Sequence, residues 1–393
     1  MYNFDKIIER RGTDCVKYDG LECHFGRTGL TPLWVADMDW QTPDFIRDAL
    51  KDRIDHPIYG YGLIPDGYFD MIAAWVKGLH GWDVNPDHIR YIPGIVKGIA
   101  FAERCFLKPG DKVIIQPPVY HPFRIVTESC GFEYVNNPLV PVYDEEGFIC
   151  DYNMDLDGLE KLIDDRCRML VLSNPQNPSG ICWSEETLQR LASICHAHGI
   201  MVISDEIHCE MAFSGHHPYA SVSPEAAANS ITFMAPSKTF NIAGIVSSYC
   251  IVPDAEVRER FFSWLSSAEL DSPSIFSTVA TTAAYTKGSR WRLEMLEYLK
   301  DNIDFTDSYI MENIPGIRVL RPQASFLIWL DCRKLGLNQE ELVRLFTDRA
   351  GLALNDGTMF GPGGEGFMRL NAGCPRKILA ASLESLKNAI QNL

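Results

Sequence analysis

Ile231-Thr232-Phe233-Met234-Ala235-Pro236-Ser237-Lys238-Thr239-Phe240-Asn241-Ile242-Ala243-Gly244 is the stretch on which the reading of this chain depends. Its first four residues form a short apolar run that predicts a buried strand, and Lys238 falls just beyond that strand's end. A second run, Ile200-Met201-Val202-Ile203, ends in Ser204-Asp205-Glu206. An amine and a carboxylate therefore stand at the carboxyl ends of two predicted strands, where open α/β sheets bind their ligands. Taken alone, Lys238 reads as an ordinary solvated lysine. The neighbouring segments decide between the two readings.

Working outward, further short apolar strands are predicted at Val113-Ile114-Ile115, Met169-Leu170-Val171-Leu172 and Tyr249-Cys250-Ile251-Val252. Between two of them, Leu188, Leu191, Ala192 and Cys195 recur at helical spacing after Ser184, a suitable N-cap, with Gly199 able to end the helix. Short apolar strands alternating with helices predict a mostly parallel sheet covered on both faces. From about residue 285 the pattern changes. A long helical segment through Trp291, Leu293, Leu296 and Leu299 precedes strand-like Ile317–Leu320 and Phe326–Leu330, then a helix near 339–350. These shifts predict an amino-terminal arm over 1–45 packing with the last part of the chain, a large domain over 46–285 and a smaller α+β domain over 286–393. At 393 residues the chain is too long for one compact core.

Composition narrows the function. The chain is 46% apolar and 22% charged, as in a folded protein, with a net charge of −16 and no basic block. Nucleic acid and anionic membrane surfaces are poor partners for it. No run reaches the ~18 to 20 apolar residues of a membrane span, and Met1–Lys6 has no apolar signal core, so a cytoplasmic location is expected. The 12 cysteines are scattered with no Cys-x-x-Cys pair, which predicts reduced thiols and no metal site.

Four other segments could carry chemistry. Asn174-Pro175-Gln176-Asn177-Pro178-Ser179-Gly180 follows the 169–172 strand. Taken alone it reads as a tight turn; at the carboxyl end of a core strand it could also supply an amide donor to a phenolate oxygen. Pro93-Gly94-Ile95-Val96-Lys97-Gly98 opens a helix whose free N–H groups suit a phosphate. Gln116–Pro122 places Tyr120 where it could lie on an aromatic ring or pack under its own loop. Arg369, beyond the glycine-rich 361–366 loop, has the fork that clamps a carboxylate, or makes a surface ion pair. Set beside these, a lysine that condenses with an aldehyde and an aspartate that keeps a ring nitrogen protonated are the two groups that pyridoxal 5′-phosphate chemistry needs most.

In this order, and with Trp34-Val35-Ala36-Asp37-Met38-Asp39, Tyr59-Gly60-Tyr61-Gly62, Ser204–His208 and Phe367–Pro375 added, the segments resemble the fold-type I enzymes of the class I/II aminotransferase superfamily. Within it they look most like the MalY/PatB group of cysteine-sulfur β-lyases. That resemblance implies an aspartate aminotransferase-like α/β fold with a mostly parallel, seven-stranded-type sheet, pyridoxal 5′-phosphate as cofactor, and a homodimer with sites between subunits. It implies that Lys238 holds the cofactor aldehyde and serves as base, that Asp205 pairs with the ring nitrogen, and that Tyr120 stacks on the ring. Asn177 and Asn174 would bond the ring hydroxyl, with His208 beside the cofactor. Ile95, Val96 and Ser237 would hold the phosphate, joined by Tyr61 from a second subunit. Arg369, Ala36 and Asn177 would bind the substrate.

Aminotransferases of the superfamily usually carry an arginine eight residues after the lysine and a tyrosine three after the aspartate. Here those positions are Val246 and His208, as in the lyase group. The activity so implied is cleavage of L-cystathionine or another L-cysteine S-conjugate to a thiol, pyruvate and ammonia. The alternatives are an aminotransferase and a cofactor-binding regulatory protein with vestigial catalysis.

Overall fold

In the computed structural model, which describes residues 2–393, the five strands predicted before residue 285 join two unpredicted ones, Ile89–Ile92 and Glu133–Asn136, in one seven-stranded sheet. Its order is Ile89–Ile92, Ser248–Ile251, Ser230–Met234, Met201–Asp205, Cys167–Ser173, Lys112–Ile115 and Glu133–Asn136. All neighbours are parallel except around Ser248–Ile251, which runs antiparallel to both of its partners. The period of two in a strand, with both faces covered, explains why the central runs are largely apolar. Val113, Ile115, Met169 and Val171 point into one core with Ile99, Ala102 and Phe261. Ile114, Leu170 and Leu172 point into the opposite core with Leu188, Leu191 and Cys195. The helix between two of these strands is Glu185–Ala197, capped by Ser184 Oγ accepting from Thr187 N at 3.2 Å. Gly199 leaves it at φ +63°, which only glycine adopts freely.

The last part of the chain forms a second, antiparallel sheet in the order Arg318–Leu320, Leu327–Asp331, Phe367–Asn371, Asn355–Asp356. Helices Ser289–Asn313 and Arg376–Gln391 pack on each other beside it. The helix expected near 339–350 is Gln339–Arg344 followed by a π-helical turn, Leu345–Arg349. Thr31–Pro32 pairs in parallel with Leu352–Ala353. Asn371 then stitches the arm to the second sheet: its N–H donates to the Leu33 carbonyl at 2.9 Å, and its side chain donates to Val35 and Asp37 carbonyls, each at 2.7 Å. Sequence periodicity did not reveal strand Ile89–Ile92 or the hairpin Val140–Tyr143/Ile149–Asn153. Both are too short and too mixed in polarity to stand out from loops. Among the described residues no helix is long and apolar enough to cross a membrane.

One buried acid gives the fold a pH dependence. Glu103, on helix Ile95–Phe106, is buried against helix Pro122–Cys130, where it accepts from Thr127 Oγ1 at 2.6 Å while Oε2 has no partner. Burial raises its pKa to about 7, against the opposing hydrogen bond from Thr127. The folded state therefore binds the proton more tightly than the unfolded state, and stability falls as pH rises from about 4.5 to about 7. Glu103→Gln is expected to remove that slope and to stabilise the fold at pH 8 by roughly 3 kcal/mol. Urea denaturation of both proteins at pH 5 and pH 8 checks it. Equal stability differences at the two pH values would be inconsistent with a buried, titrating Glu103.

Candidate active site

The parallel strands end level with one another. Ser173 sits opposite Asp205, and Asp205 opposite Phe233. A cavity of about 300 Å³ opens at that edge. Lys238, Asp205, Tyr120, Asn177, His208, Ser237, Ile95, Val96 and Ala36 all line it. Nine residues expected at the site on sequence grounds thus converge on a single cavity.

Each is held in a definite way. Lys238 Nζ donates to the Ala36 carbonyl at 2.6 Å, so the arm sets the position of the amine. Burial pulls the ammonium down to about 8, opposed by the negative charges of Asp37 and Asp205. Asp205 is buried and accepts from Ile207 N at 3.1 Å. Burial pushes its carboxyl up to about 7. An acid in such a place gains from a cationic ring nitrogen. His208 Nδ1 lies 3.0 Å from Ser325 Oγ, and burial, with Lys238 and Arg369 nearby, holds the imidazole well below its ordinary pKa. Gln176 braces the two loops over the cavity, donating to the Pro118 carbonyl at 2.6 Å and accepting from Ser179 N at 2.8 Å.

At the other end of the cavity, Gly94 precedes helix Ile95–Phe106 at φ +116° and offers no side-chain cap. The first N–H groups of that helix have no intrahelical acceptor. Ser237 and Ser248 face the same end. Serine hydroxyls, free N–H groups and the positive end of a helix dipole suit a phosphate. Lys97 and Lys238 are the cations among the described lining residues. Val246, the position of the aminotransferase arginine, lines the wall in a left-handed conformation at φ +57°. Tyr91 Oη and Ser277 Oγ donate to its carbonyl at 3.2 and 3.1 Å.

Three expected residues do not line this cavity, one of them, Tyr61, being expected at a second subunit's site. Asn174 does not line the cavity: its amide donates to the His217 carbonyl at 2.9 Å, because the chain turns at Pro175 and sends the two asparagines apart. Pro175 takes the wall position instead. Arg369 lies behind the cavity wall, 3% exposed, with Nη1 donating to Asn177 Oδ1 at 2.8 Å. Tyr61 is fully exposed and outside its own chain's cavity, and the neighbouring Leu63 and Ile58 are exposed as well.

Sequence reading missed the charge network within the arm. Lys17 is fully buried, donating to Asp39 Oδ2 at 2.8 Å and the Asp37 carbonyl at 3.1 Å. Arg10 spans Asp37 and Asp39 at 2.8 and 2.7 Å. The only sequence signal was two acids inside an otherwise apolar Trp34–Trp40 segment. Lys17→Met is expected to cost about 3–5 kcal/mol, since it removes the fully buried cation that shares the Asp39 carboxylate with Arg10. Chemical denaturation at pH 7 measures this. A loss below 1 kcal/mol would mean that Arg10 alone balances both acids.

Fold and cavity describe an α/β enzyme of the aminotransferase type, and the chain belongs to the aminotransferase class I and II family, which its residues 35–386 match. Among its relatives is the protein named cystathionine beta-lyase PatB of Bacillus subtilis, 42% identical over 99% of this chain and 100% of that protein. A PLP-bound putative aminotransferase of Clostridium difficile superposes with a TM-score of 0.95 at 39% identity, covering 99% of this chain and 100% of that one. The PLP-bound C-S lyase of Staphylococcus hominis superposes with a TM-score of 0.91 at 30% identity, covering 99% and 98%.

Proposed function

We propose that this chain is a pyridoxal 5′-phosphate-dependent carbon–sulfur β-lyase that cleaves L-cystathionine or a related L-cysteine S-conjugate to a thiol, pyruvate and ammonia. The observation that carries it is the convergence of Lys238, Asp205 and a phosphate-type helix terminus on one cavity, in a chain 42% identical to a protein named cystathionine beta-lyase. The residues present fit the cofactor. Asp205 is a buried acid with no cationic side chain bonded to it, the Ile95–Phe106 terminus offers free donors, and Tyr120 offers a ring at the wall.

When bound, pyridoxal 5′-phosphate supplies an aldehyde for the amine and a ring that accepts the electron pair released at Cα. Lys238 would hold the aldehyde carbon, Asp205 the ring nitrogen, Asn177 the ring hydroxyl, and Ile95, Val96, Ser237 and Ser248 the phosphate. Arg369 would clamp the substrate carboxylate, fixing the direction in which the Cα–H bond points. The Lys238 amine would take the Cα proton as general base. Carbon–sulfur cleavage releases the thiolate from Cβ, and hydrolysis of the remaining three-carbon unit gives pyruvate and ammonia.

The proposed assembly is a homodimer in which Tyr61 of the partner subunit reaches the phosphate, supported by the exposure of Ile58, Tyr61 and Leu63 on one loop. The proposed division is a cofactor-binding unit over 46–285 and a smaller unit over 286–393 that carries Arg369 and receives the arm. Incubation with L-cystathionine and no keto acid tests the activity. Continuous pyruvate formation is expected. Stoichiometric conversion of the cofactor to its amine form, with no pyruvate, would make the chain an aminotransferase instead.

A further inference from the structure

Arg369 is a buried cation whose every contact is neutral. Its guanidinium donates to Asn177 Oδ1 at 2.8 Å, to Asn355 Oδ1 at 2.6 Å and to the Trp34 carbonyl at 3.3 Å, and Nε has no partner. Among the described residues it takes part in no ion pair. Leaving a charge unpaired in the interior costs several kcal/mol, and a carboxylate alongside would relieve the cost.

The sheet has such a carboxylate one residue away. Asn355 and Arg369 are directly paired across antiparallel strands, so both side chains leave on the same face. Asp356, the next residue, points to the other face, where Oδ1 accepts from Gln339 Nε2 at 2.6 Å and Thr358 N at 2.8 Å. The acid therefore serves a turn, and an amide of the same shape faces the guanidinium.

We propose that Asn355 is a positioning residue that holds Arg369 through a neutral acceptor, and so keeps its full positive charge for the α-carboxylate of the incoming amino acid. This rests on the reading of Arg369 as the carboxylate clamp. A carboxylate at position 355 would sit at the same 2.6 Å from Nη2 and compete with the substrate as a permanent, intramolecular counter-ion. It would also brace the guanidinium at least as firmly, because charge-assisted bonds are the stronger ones. Bracing and binding are therefore predicted to move in opposite directions, which a merely structural asparagine would not produce.

The test uses the full-length protein loaded with pyridoxal 5′-phosphate. The visible band of the bound cofactor is titrated with L-alanine and with L-alaninamide, neither of which carries a leaving group. The readout thus survives even if the protein proves not to be a lyase. Asn355→Asp is expected to raise the Kd for L-alanine at least about tenfold. The Kd for L-alaninamide should change less than about twofold, and Tm should stay at or above that of the parent. Asn355→Leu removes the bond without adding charge, so it should weaken L-alanine less than Asn355→Asp does and keep the preference for the acid over the amide. A parent-like Kd for L-alanine in Asn355→Asp, equal losses for acid and amide, or matching losses in the two variants would overturn the proposal. So would failure of Asn355→Asp to take up cofactor, because the ion pair is expected to hold the site together. Absence of pyruvate from every S-substituted cysteine would count against the lyase reading alone.

Discussion

Lys238→Ala is expected to lower kcat for pyruvate formation by about 10⁴-fold, the upper end of what one general acid–base group contributes. The bound cofactor should also lose the visible band that depends on its bond to the amine. The size of the effect follows from the geometry. Lys238 is the one lining amine at the strand edge beside Asp205, its Nζ is set at 2.6 Å from the Ala36 carbonyl, and burial has already brought its ammonium down to about 8. Near neutral pH an appreciable fraction is therefore the free base, which an exposed lysine would not provide. Small primary amines added at high concentration should restore part of the activity, since they can reach a cavity of about 300 Å³. Retention of both turnover and the visible band in Lys238→Ala would sink the assignment.

Arg369→Ala is expected to have the second largest effect, with kcat/KM lower by about 100-fold or more. Removing one partner of a desolvated, hydrogen-bonded charge pair typically costs 2–5 kcal/mol, and each 1.4 kcal/mol is tenfold. KM should carry most of the change, with a smaller fall in kcat, because a carboxylate left unclamped lets Cα drift from Lys238. Arg369→Lys should rescue little. Asn177 and Asn355 each accept from a different guanidinium nitrogen, at 2.8 and 2.6 Å, and a single ammonium cannot reproduce that fork. Steady-state kinetics with L-cystathionine measure both variants. Unchanged constants in Arg369→Ala would mean that another group binds the carboxylate.

These two residues illustrate how unevenly the site was legible. Lys238 and Asp205 could be placed because each follows an apolar run long enough to read as a strand. The carboxyl edge of a parallel sheet then collects whatever comes next. Ile95 and Val96 were legible for a similar reason, as the start of an amphipathic helix. Asn174 and Asn177 lie in one turn, and only the path of the backbone through Pro175 decides which amide faces the cavity. Asn355 was invisible: a two-residue strand has no period to detect, and its meaning comes from lying opposite Arg369 in the register. The buried pairing of Lys17 with Asp39 spans 22 residues of irregular chain, over which no local pattern links them.

The sequence by itself determined the parallel sheet, because strands covered on both faces must be continuously apolar, and it determined which amine and which carboxylate stand at that sheet's edge. Local periodicity and chain order suffice for both. The tertiary structure decided the rest. It set Lys238 against the Ala36 carbonyl, put Arg369 behind Asn177 in a shell of neutral oxygens, and left Tyr61 facing outward. Those contacts join residues as far as 335 positions apart. Their chemistry depends on burial and distance, which no local run of residues encodes.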